Sequence, residues 1–119
     1  MIDIERDIFL GFVRVHVLHH AAEEPIFGVG MLEELARHGY RLSPGTLYPV
    51  FHGLEKSGLL VSEQKIVGGK ARKYYRITGA GRKVLADILP RIQELVDEIT
   101  ERKADARPRR RERPIKNNR

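Results

Sequence analysis

Between Pro44 and Gly58, the residues Leu47, Val50, Phe51 and Leu54 recur at i, i+3, i+4 and i+7, the spacing of one buried helix face. Ser43 stands at the N-cap position and Pro44 at the first helical position, where a missing N–H costs nothing. Gly58 is placed to end the helix in a left-handed cap. Pro49 deprives the Gly45 carbonyl of its helical partner, so the first turn is expected to bend or tighten. The opposite face carries Thr46, Tyr48, Pro49, His52 and Lys56, few of them bulky or acidic. A helix with one apolar stripe and such an outer face can enter a DNA major groove.

Two strands should follow at once, Leu59 to Val67 and Ala71 to Ile77, joined at Gly68-Gly69, a favoured two-residue hairpin turn. That turn sets Val67 opposite Lys70, Lys65 opposite Arg72, Glu63 opposite Tyr74 and Ser62 opposite Tyr75. One side, with Leu60, Ile66, Ala71, Tyr75 and Ile77, is expected to pack on the helices. The other carries Glu63, Lys65, Arg72, Tyr74 and Arg76. Lys65 facing Arg72 is a like-charge pair, unfavourable by up to ~1 kcal/mol, and is tolerated more easily where an anion such as phosphate lies across it.

Ahead of this segment, Asp3 can cap a first helix reaching about Ala22, with Ile4, Ile8, Phe12, Val15 and Leu18 periodic and Phe9, Val13 and Val17 widening the apolar surface. A second helix should run from Phe27 to Arg37. Gly28 and Gly30 weaken its first turn and allow close packing. Gly39 and Tyr40-Arg41-Leu42 link it to the third. Three helices with a short second link, then a basic hairpin, describe a winged helix-turn-helix, an α+β fold that is mainly α. Thr78 caps a last helix on which Leu85, Ile88, Leu89, Ile92, Leu95, Val96 and Ile99 form a stripe that a second copy would bury. Pro90 should kink that helix or split it after Leu89. The expected organisation is a DNA-binding domain over 1–78, a dimerisation helix over 79–103 and a basic, disordered tail over 104–119.

Charge sharpens the picture. The net charge is +6, but Lys103 to Arg119 alone supplies eight basic residues against two acidic ones, leaving the rest with 14 of each sign. DNA affinity in the folded part must therefore come from local clustering. Lys65, Lys70, Arg72, Lys73 and Arg76 supply it in the hairpin. The chain has no Cys, which excludes a disulfide framework, a thiol nucleophile and a Cys-ligated zinc site. It shows no phosphate-binding Gly-rich loop and no paired catalytic carboxylates, so no enzyme is expected. No apolar run is long enough to span a bilayer, and the acidic start lacks the order of a signal peptide, so a cytoplasmic protein with no membrane partner is expected.

Leu42-Ser43-Pro44-Gly45-Thr46-Leu47-Tyr48-Pro49, Leu54-Glu55-Lys56-Ser57-Gly58-Leu59-Leu60 and Arg72-Lys73-Tyr74-Tyr75-Arg76-Ile77-Thr78 followed by Gly81 resemble the PadR family of bacterial transcriptional regulators. The single C-terminal helix is similar to the smaller PadR subfamily. Pro25-Ile26-Phe27-Gly28 fits the start of that family's second helix, and the likeness spans roughly Ile8 to Ile99. It implies a homodimer on double-stranded DNA, most often a repressor, that reads a near-palindromic operator and releases it on binding a small-molecule effector at the dimer core. Ser43, Thr46, Tyr48 and Pro49 fall in the recognition-helix motif; Lys70, Arg72, Lys73 and Tyr74 fall in the wing. Some multidrug-binding relatives stack flat ligands on a central tryptophan, and this chain has none. No cofactor is implied.

His16, His19, His20 and Glu23 stand at i, i+3, i+4 and i+7 on the first helix, and the three histidines fall where the family usually has apolar or neutral residues. They share a face that could hold Zn²⁺ or a similar ion, making the effector a metal or DNA release pH-sensitive. The plainer alternative is ordinary hydrogen bonding at a wet interface. The Arg-rich tail leaves open a nucleoid-type architectural protein that binds DNA through tail and wing.

Overall fold

The structure is a computed structural model that describes residues 3–105, with side chains through Glu101. The elements run α1 (Asp3–Glu23), α2 (Gly28–Arg37), α3 (Pro44–Lys56), β1 (Leu60–Val67), β2 (Lys70–Ile77) and α4 (Gly79–Asp105). This is a winged helix-turn-helix with a two-stranded wing. The chain divides into two compact units, the first ending at Asp87 and the second beginning at Ile88. The first turn of α4 and Leu85 therefore belong with the winged helix rather than with the rest of α4.

The third helix forms where its sequence places it. Leu47, Val50, Phe51 and Leu54 are all buried. Ser43 holds the extended N-cap backbone, but its hydroxyl makes no bond to the helix N–H groups. That expectation is corrected: Ser43 Oγ lies 3.3 Å from Thr46 Oγ1 instead. The N–H groups of Thr46 and Leu47 both converge on the Ser43 carbonyl at 3.0 Å, so the first turn is tight, and α3 then runs unbroken through Pro49. α4 likewise continues through Pro90 without splitting.

The two strands pair antiparallel in the register set by the Gly68-Gly69 turn, with Lys65 opposite Arg72 and Glu63 opposite Tyr74. Both turn glycines take positive φ, 58° and 79°, as a two-residue hairpin of the right twist requires. Only the base of the ribbon packs on the helices. Leu60, Tyr75 and Ile77 are buried, whereas Ile66 is 73% exposed and Ala71 is exposed as well. The alternation assigns the face correctly, but the helices end before the tip, so these two are not core residues.

The first helix buries only part of its expected apolar surface. Val13, Val17 and Leu18 enter the core with Ala21, while Ile4, Ile8 and Phe12 stay exposed. Met31 and Leu35 of α2 join them, and Leu85 closes the cluster from α4. The segment between α1 and α2 contributes a bridge: Ile26 N donates to the Tyr75 carbonyl at 2.9 Å, and Tyr75 N donates back at 2.8 Å. Thr78 fastens the start of α4, its hydroxyl donating to the Gly58 carbonyl at 2.6 Å and accepting from Gly81 N at 3.0 Å. Among the described residues no helix is long and apolar enough to cross a membrane.

Candidate nucleic-acid interface

The outer face of α3 is open. Ser43, Tyr48, Pro49, His52 and Lys56 are exposed, and Thr46 is half-buried. Tyr48 is tied to the fold more than its exposure suggests. Its ring lies against Gly28, where an added Cβ would stand 2.5 Å from Tyr48 Oη, so a larger residue there would push the tyrosine ring aside. The sequence reading of Gly28 as a close-packing residue holds, and Tyr48 is what packs there.

The wing splits its cations between two faces. Lys65, Lys70 and Arg72 share the outer one with Tyr74, while Lys73 belongs to the face that packs toward α3. Lys73 Nζ lies 4.0 Å from Glu55 Oε1 and 5.4 Å from the centre of the Tyr75 ring. Glu55 also accepts a 2.6 Å hydrogen bond from Ser62, joining the end of α3 to β1. The spacing of these two residues gave no signal of that contact.

On the outer face the Lys65–Arg72 pair is relieved from within the protein. Arg72 Cζ lies 4.3 Å over the Phe27 ring, and Phe27 meets Tyr74 edge-on at 5.4 Å. Lys65 Nζ sits 5.6 Å from the Tyr74 ring centre and 3.8 Å from Glu63, which also accepts from Arg76 at 3.2 Å. Phe27 thus aligns the Arg72 guanidinium, a role the sequence reading missed. The stacked guanidinium keeps edge N–H groups available for phosphate oxygens.

The histidine row is split as well. His19 pairs outward with Glu23 at 3.7 Å, both exposed. His16 and His20 turn instead toward the end of α2, where His38 and Glu34 meet them.

A family model described as "Transcriptional regulator PadR-like family" matches residues 17–87. The chain belongs to that family. "Transcriptional regulator Rv3488" of Mycobacterium tuberculosis is 54% identical over 87 residues, covering 73% of this chain and 81% of the relative. The crystal structure of a PadR family regulator from Eggerthella lenta shares 36% identity with a TM-score of 0.68, covering 83% and 91% of the two chains. A PadR-like regulator from Bacillus cereus, 24% identical with a TM-score of 0.73 over 80% and 94% of the chains, repeats the fold. This chain is accordingly a transcriptional regulator. The PadR match takes in α2, α3, the ribbon and Gly81, and it begins one residue after His16.

Proposed function

We propose that this PadR-family regulator binds double-stranded DNA sequence-specifically as a homodimer and represses transcription from a near-palindromic operator until an effector releases it. It acts as a binding protein rather than an enzyme, and works in the cytoplasm. The observation that carries the reading is the juxtaposition of an exposed α3 face with the Arg72–Phe27 stack and Lys65 on the wing, in a chain whose charge is balanced outside its tail. In this reading Ser43, Thr46, Tyr48 and Pro49 approach bases and phosphates, with His52, Lys56 and the wing cations on the backbone. The two reading helices sit about 34 Å apart, one turn of duplex.

The dimer reading draws support from uncovered apolar side chains on α4. Leu89, Leu95, Val96 and Ile99 are each 45–56% exposed, and Ile88 and Ile92 are half-buried. Leu85 leaves this set because it is 7% exposed within the first unit's own core. Burying two carboxylates in such a stripe is costly, so Leu95→Asp/Ile99→Asp is expected to convert a dimer to a monomer in analytical ultracentrifugation. A dimer that survives the double change rejects α4 as its seam. An effector then needs only to prefer the dimer spacing that misfits DNA, which draws the population from the binding-competent state.

Selection of bound sequences from random DNA tests the reading directly: one enriched near-palindrome is expected, and no enrichment ends it. On that site, Lys70→Ala/Arg72→Ala should flatten the salt dependence. Each phosphate contact contributes about −0.9 to the slope of log K against log salt, so four lost contacts per dimer remove about 3 to 4. An unchanged slope would take the wing off the phosphates. The tail from residue 106 onward lies outside the described residues.

A further inference from the structure

We propose that His16, His20 and His38 form a binding site for one divalent transition-metal ion, with the Glu34 carboxylate at its edge. The set differs from the row of four that the α1 periodicity suggests. It takes one histidine from each of two successive turns of α1 and joins them to the residue that caps α2.

The geometry is convergent. One ring nitrogen from each histidine lies within 4.8 Å of the other two. The His16 and His38 rings stack at 5.1 Å, and each lies 6.2 Å from the His20 ring. Glu34 Oε2 is 3.0 Å from His38 Nε2 and 3.7 Å from His20 Nε2. A tetrahedral ion with bonds of about 2.0–2.1 Å holds its nitrogens roughly 3.4 Å apart, so the rings must close in by about 1.5 Å at most. Side-chain rotation of two half-buried rings and one exposed ring supplies that.

The chemistry narrows the occupant. Three imidazoles and one carboxylate suit Zn²⁺, Co²⁺, Ni²⁺ or Cu²⁺, whereas Ca²⁺ and Mg²⁺ require oxygen cages. Burial first, and then the neighbouring His38, His20 and His19 rings, hold His16 below the ordinary histidine range, against an opposing pull from Glu34. A neutral ring keeps its lone pair for a metal. Glu34 is held below the usual carboxylate range by hydrogen bonds from Arg37 and then His38, so the edge is anionic. A cleft of about 150 Å³ reaches His20 and Glu34 from the side of the α1–α2 link, while His38 is itself exposed. His19, His20 and Glu23 form a competing set, but two of those three side chains are exposed and α2 contributes nothing to it.

An ion here staples the second half of α1 to the last turn of α2, just ahead of the link into α3. Its effect on DNA release would rest on the function proposed above; the site itself does not.

The test is metal binding by the full-length, metal-free chain. Calorimetry with Zn²⁺ should give one ion per chain, and Co²⁺ should give the visible d–d absorption of a four-coordinate site with nitrogen and oxygen ligands. His38→Gln and His16→Gln should weaken Zn²⁺ at least about 100-fold, Glu34→Gln about 10- to 100-fold, and His19→Gln not at all. His38 caps α2 at an exposed position, so His38→Gln decides the matter even where the His16 variant does not fold. No Zn²⁺ uptake by the wild type overturns the proposal. So does a loss with His19→Gln as large as that with His38→Gln.

Discussion

Phe51→Ala is expected to lower the free energy of unfolding by about 3–5 kcal/mol, enough to leave a chain of this size marginally folded or unfolded. Phe51 is fully buried on α3, and its ring centre lies 4.6 Å from that of Tyr75 on β2. Tyr75 in turn exchanges both backbone hydrogen bonds with Ile26, and Tyr48 sits 6.2 Å away on the other side. One ring therefore bears on α3, on the wing and, through Tyr75, on the link between α1 and α2. The loss comprises the transfer energy of the ring and the cavity it leaves, since three elements cannot collapse on one void together. Urea denaturation followed by circular dichroism, at one fixed protein concentration, should show a lower midpoint with an unchanged slope. A loss below about 1 kcal/mol would mean that the ring is not the centre of packing.

The parts of the fold governed by neighbours in sequence were legible. Pro44, the four-residue apolar stripe and Gly58 bounded α3, and two turn glycines set the ribbon register pair by pair. The parts that depend on distant contacts were not. α1 is apolar on two sides, and periodicity alone could not say that Val13, Val17 and Ala21 would meet the core while Ile4, Ile8 and Phe12 would not. The same holds for Ile66, on the correct face of the ribbon but beyond the reach of the helices. At the candidate DNA interface, the exposed residues of α3 were readable from their spacing. The partners that orient the interface were not: Phe27 beneath Arg72, Gly28 beneath Tyr48 and Glu55 beside Lys73 come from elsewhere in the chain. His38 was missed for this reason, although a histidine just past the end of a helix that follows a histidine-rich one is a signal worth pairing.

Gly79 and Gly81 look alike in sequence, both opening α4, yet substitution by Ala is expected to move stability in opposite directions. By helix propensity alone each change should gain up to about 1 kcal/mol. At Gly79 nothing lies within 4 Å of an added Cβ, so the gain survives, reduced by its place in the first turn. At Gly81 a Cβ would stand 2.3 Å from the Leu59 carbonyl oxygen and 2.6 Å from Ile77 Cγ1. The carbonyl cannot retreat freely, because it accepts the Thr78 N–H at 3.0 Å, and Ile77 is itself buried in the core. Relief requires lifting α4 off the base of the ribbon, which also stretches the bond from Gly81 N to the Thr78 hydroxyl. Overpacking of this kind costs about 1–3 kcal/mol and outweighs the propensity gain. Gly81→Ala should therefore melt several degrees below the wild type, at roughly 4–8 °C per kcal/mol, with Gly79→Ala at or above it. If both variants melt higher, Gly81 serves only to start the helix, and the close seat of α4 on Leu59 and Ile77 is wrong.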